Sequence, residues 1–111
     1  MILDGNMSNG KAIGTVEDLL ESVGKDAAPP EGLSPELLAL WHTKKGNWED
    51  AHNVAQDIES AWGSWMHGHL HLIEGDVGNA GYWYNRARKP AGSVAGLEEE
   101  WRALAGEVLE D

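Results

Sequence analysis

The chain has 111 residues, the length of one ordinary domain, and no cysteine, which excludes disulfides, thiolate metal sites and a cysteine nucleophile. Its 19 acids against 8 bases leave a net charge of −11, a surface that repels phosphate backbones and argues against a nucleic-acid partner. No stretch approaches the roughly 20 apolar residues of a membrane helix, and the N-terminus lacks the basic start and apolar run of a secretory signal, so the expectation is a cytoplasmic protein with no membrane contact.

Residues 1–12 are rich in Gly and Asn, show no period and read as a flexible N-terminal segment, within which Met7 offers a second start. Residues 13–111 read as a single helical-repeat domain. Thr15 caps the first helix, with Glu17 and Asp18 in its first turn. Val16, Leu19, Leu20 and Val23 form one apolar stripe, and Gly24 ends it. Pro29-Pro30 lies in a loop.

Ser34-Pro35-Glu36 is a strong start for the second helix, which Gly46 stops. Asn47 caps a third helix whose stripe holds Trp48, Ala51, His52, Ala55 and Ile58. A turn falls around Ser60 to Ser64, and a fourth helix then runs to about Glu74. On it, Trp65, Met66, His69, Leu72 and Ile73 share one side, while His67, His71 and Glu74 share the other. Gly75 stops it and Asp76 caps the fifth helix. Lys89-Pro90-Ala91-Gly92 breaks the chain, and Ser93 caps a last helix with Glu98, Glu99 and Glu100 near its positive end. No alternating strand pattern occurs. Gly63, Gly68, Gly81 and Gly106 fall inside helical patterns, which points to close helix–helix approach. Six tryptophans and no phenylalanine make the indoles the main bulky core residues.

One pattern occurs twice. His42 to Ala51 and His71 to Ala80 both read H-x3-G-[ND]-[WV]-x2-A, and Gly75 follows Gly46 by 29 residues. A repeat of that period implies two stacked helical hairpins, each too small to bury its own apolar face. In the second copy Gly68, Ala80, Tyr84 and Pro90 fill the small, small, aromatic and proline slots of a tetratricopeptide- or Sel1-type helical repeat, which the chain resembles from Gly68 to Pro90. The earlier copy keeps Leu38 and Ala51 but has Ala39 for the Gly and Ala55 for the aromatic. The period is also shorter than the usual ~34 residues. Gly75 to Ala87 further resembles the signature of a small bacterial family, from which no activity follows.

The departures from the repeat point to the candidate site. Positions that the resemblance assigns to Leu and Tyr carry His67 and His71, and His42 takes the Tyr slot of the first copy. A buried imidazole needs hydrogen-bond partners, so the seam between the hairpins is expected to be polar and histidine-lined. His67, His71 and Glu74, at i, i+4 and i+7, offer three ligands on one helical face for zinc or another divalent metal. His42 or His52 from the preceding hairpin completes a four-ligand set. The competing reading gives each imidazole a carbonyl, carboxylate or Tyr partner, with Glu49 fixing the tautomer of His52. There is no H-E-x-x-H motif and no nucleophile or phosphate loop stands out, so the chain leans away from enzyme activity. Tyr84 is a packing residue, while Tyr82 and Trp83 are candidates for a groove.

The expected fold is all-α, a right-handed stack of five or six short antiparallel helices, with the last one as cap. The leading expectation is an interaction module, monomer or homodimer. It holds a protein or peptide partner in a groove lined by His42, His52, His67, His71, Glu74, Tyr82 and Trp83. The alternative is a small metal- or ligand-binding protein, with hydrolysis within its reach.

Overall fold

The computed structural model describes residues 13–111, and the expected segment 1–12 lies outside them. Among the described residues there are six α-helices, one 3-10 turn and no strand. The fold is all-α, as the periodicity implies. Among the described residues no helix is long and apolar enough to cross a membrane.

Helix α1 (Val16–Lys25) begins with a full capping box, in which Thr15 accepts from the Asp18 amide and Asp18 accepts from the Thr15 amide. It runs one residue past Gly24, because Gly24 keeps helical geometry and the chain turns extended only at Asp26. Helix α2 (Pro35–Lys45) starts on the Ser34 cap, and α3 (Trp48–Ala55) follows after a two-residue link. Helices α4 (Ala61–Ile73) and α5 (Val77–Ala87) form a second hairpin. Ser93 caps the 3-10 turn Val94–Gly96, which runs directly into α6 (Leu97–Glu110).

The two decapeptides have the same conformation. Gly46 and Gly75 sit at φ 93° and 86°, where a side chain is strained, and the next residues, Asn47 and Asp76, have nearly identical dihedrals (−90°, 73° and −90°, 77°). The Asn47 amide donates to the His42 carbonyl and the Asp76 amide to the His71 carbonyl, both at 2.9 Å. The glycine amides donate to Thr43 and Leu72. Each hairpin thus turns on a Schellman motif followed at once by a new helix. The buried Ala51 and Ala80 pack at equivalent places in the second helix of each pair.

Helix α4 is the centre of the molecule. Its residues Trp65 to Leu72 are all buried, so it is enclosed on every side rather than divided into two faces. Close approach explains two of its glycines. A Cβ on Gly68 meets the Tyr84 ring at 3.2 Å and the Ala80 carbonyl at 3.3 Å, and one on Gly63 meets the Ile58 carbonyl at 2.1 Å. Gly81 has open space beside it and Gly106 only a distant Val16 methyl, so the same account does not extend to them.

The last helix departs from the expected end cap. It packs against α1, α2 and α4, folding back over the start of the chain. Trp101 makes this possible: its ring is buried and its Nε1 donates to the Leu40 carbonyl on α2 at 3.0 Å. The core runs through Leu19, Leu40, Trp41, Met66, Leu70 and Leu104.

Candidate functional site

Helices α3 and α4 face each other across the seam between the hairpins, and each brings histidine to it. His52 comes from the stripe of α3; His67 and His71 come from α4, one turn apart. One ring nitrogen from each of the three lies within 4.8 Å of the other two. His67 is 6 % exposed and His71 9 % exposed, while His52 is half-buried. The Nε2 atoms of His52 and His67 are 2.9 Å apart, so one donates to the other. His71 Nδ1 donates to Glu74 Oε1 at 3.3 Å, which leaves the lone pair on its Nε2.

Two indoles hold these rings. Trp83 on α5 stacks flat on His67, with centroids 3.9 Å apart and planes 6° apart. Trp48 stacks on His52 at 4.8 Å and is itself anchored by its Nε1, which donates to the Leu70 carbonyl at 2.7 Å. The Arg86 guanidinium lies 5.3 Å from the Trp83 ring centre. The rings are therefore oriented before any ligand arrives.

The charged forms of His52 and His67 are disfavoured. Burial pushes His67 down to about 4, and the neighbouring His52, His71 and Arg86 add to it. His52 is lowered as well, by burial and then by His71, with Glu74 opposing. Neutral imidazoles with converging nitrogens are what a transition-metal ion requires of its ligands.

The expected residues divide as follows. His52, His67 and His71 come together. Glu74 stands behind His71, where a carboxylate fixes the tautomer of a ligating histidine, rather than in the nitrogen cluster itself. His42 stays apart: Asn47 Nδ2 donates to its Nδ1 at 3.1 Å, and this diverts the Asn47 side chain from capping α3. Glu49 is exposed, and His67 takes the role at His52 that Glu49 was expected to fill. Trp83 is at the cluster, whereas Tyr82 is 55 % exposed and touches Trp83 edge-on.

A second polar cluster, unmarked in the sequence, lies on the opposite side of α4. Glu100 enters the core and accepts from His69 Nδ1 at 2.6 Å, Tyr84 Oη at 2.7 Å and Trp65 Nε1 at 3.0 Å. Burial alone raises the pKa of its carboxyl group, but the three donors outweigh burial and hold it below the usual range. Tyr84 is pushed up, first by burial and then by its bond to Glu100. This cluster ties α4, α5 and α6 together. In the sequence Glu100 is the last of three consecutive acids, and nothing there marks it as the one that turns inward.

Comparison with known proteins gives no match to a family model, to a curated protein or to a solved structure.

Proposed function

We propose that this chain binds a divalent transition-metal ion, zinc in the first instance, through His52, His67 and His71. The observation that carries the reading is the convergence of three ring nitrogens within 4.8 Å of one another from two separate helices. A tetrahedral zinc ion with bonds of about 2.0–2.1 Å sets its ligand nitrogens roughly 3.3 Å apart. The His52–His67 pair, at 2.9 Å, opens by a few tenths of an ångström to reach that spacing. Imidazole suits zinc, copper, nickel and iron, and the absence of cysteine removes any competing thiolate site.

Three protein ligands leave one coordination position for water or a further ligand, the pattern of a working site rather than a closed structural one. Glu74 and the Trp48 and Trp83 rings support the site from outside. The matching caps of the two hairpins also support reading them as copies of one tetratricopeptide-like unit, with the seam between copies converted from apolar packing to a ligand site.

Untagged protein purified without chelator is expected to carry close to one equivalent of metal by elemental analysis, and its melting temperature is expected to fall on chelation. A metal-free preparation whose melting temperature ignores added zinc, nickel and copper would end this reading.

A further inference from the structure

Away from the histidines, a groove of about 570 Å³ opens between the start of α2 and the end of α3. Its floor is Leu33, Leu38, Val54 and Ile58, all only half-buried. Glu36, Asp57 and Glu59 line its edge. Among the described residues none of these three acids pairs with a Lys or Arg, although Glu17, Glu21, Glu98 and Glu107 do. The groove therefore joins half-buried apolar surface to negative charge that no Lys or Arg offsets.

We infer that this groove docks a segment of another protein in which apolar side chains are flanked by Lys or Arg. The volume falls in the range of about 300–1,000 Å³ found for binding pockets. The charge selects among occupants. A second copy of this chain brings its own net charge of −11, and nucleic acid brings phosphates, so the acidic edge opposes both. A basic segment gains from the same edge, chiefly in its rate of arrival, while the apolar floor slows its departure. The inference is independent of the histidine cluster, because no histidine lines the groove.

The test is fluorescence anisotropy with the full chain and three labelled peptides of equal length. The first carries leucines one helical turn apart between lysine pairs. The second replaces those leucines with serine, and the third replaces the lysines with glutamate. The leucine–lysine peptide is expected to bind in the micromolar range and the other two at least about tenfold more weakly. The triple variant Glu36→Gln, Asp57→Asn, Glu59→Gln, whose surface changes spare the core, is expected to weaken the first peptide by about tenfold at low salt. Val54→Asp, checked for helical content by circular dichroism, is expected to do the same at high salt.

Equal binding of the serine peptide reduces the effect to bulk charge and overturns the inference. So does binding that survives the triple variant, preference for the glutamate peptide, or no binding at all. Sedimentation run in parallel decides one alternative: a dimer of the wild type that dissociates in the triple variant assigns the groove to a second copy instead.

Discussion

His67 is held neutral by its surroundings, and this has a consequence for stability. It faces His52 from α3, His71 from its own helix, and Trp83 and Arg86 from α5, and no carboxylate among these offsets its burial. Its value in the unfolded chain is near 6.5, against about 4 in the fold. Above pH 6.5 both states are neutral and the fold keeps its full stability. Between about 6.5 and 4 the unfolded chain takes up a proton that the fold refuses, so the metal-free protein loses on the order of 2–3 kcal/mol over that window. Urea melts at a series of pH values measure this, and His67→Phe, which cannot titrate, is expected to flatten that portion of the curve. A wild-type profile no steeper than the variant's contradicts the assignment. Glu100 makes the second prediction at this scale. Glu100→Ala strands three buried donors, and a loss of roughly 3–5 kcal/mol is expected in chemical unfolding. A loss below about 1 kcal/mol means water replaces the carboxylate and the cluster is not a tie between helices. The two clusters were unequally legible. His67 and His71 stand out because they interrupt an apolar repeat pattern at fixed slots. The partner of Glu100, His69, lies 31 residues away, and no local pattern relates them.

At the scale of elements, the hairpin turn recurs a third time with a different residue. The Lys89 amide donates to the Tyr84 carbonyl and the Arg88 amide to the Asn85 carbonyl, the same pair of bonds that close α2 and α4. Here the left-handed position is Arg88, at φ 60°, where the other two turns have glycine. Arg88 makes no ion pair among the described residues that offsets this conformation. Arg88→Gly is therefore expected to stabilise the protein by about 1 kcal/mol, read as a higher urea midpoint with an unchanged slope. A lower midpoint shows that the arginine contributes something its backbone strain conceals. The first two turns were readable because Gly-Asn and Gly-Asp announce a helix stop followed by a start. The third was hidden, since neither Arg88 nor Lys89 carries such a signal and Pro90 marks only the breaker beyond it. The same limit applies to α4, whose two sides looked distinct because histidines and apolar residues alternate along it. Both sides are buried, and the histidines find partners in opposite directions.

For the whole molecule, local patterns fix the hairpins but not how the last helix closes over them. Residue spacing marks Leu97, Trp101, Leu104, Ala105 and Val108 as one face of α6, and says nothing of which helices that face meets. The answer depends on one long-range bond from Trp101 to Leu40 and on the Glu100 cluster, contacts between residues 61 and 31 positions apart. With α6 folded back across α1, α2 and α4, the central helix is clamped on one side by the carboxylate of Glu100. Its other side presents His67 and His71 to His52 across the seam. The two helices thus bring the three nitrogens within 4.8 Å of one another, and the proposed metal site rests on that convergence.

Cobalt(II) titration of the untagged, metal-free protein, followed by visible absorbance, tests that arrangement most directly. The account predicts one equivalent bound with the strong visible bands of a tetrahedral site, displaced by zinc and lost in His52→Ala and His67→Ala while both variants keep their helical content. A titration that shows only the weak spectrum of hydrated cobalt, or bands that persist without His52 and His67, contradicts it.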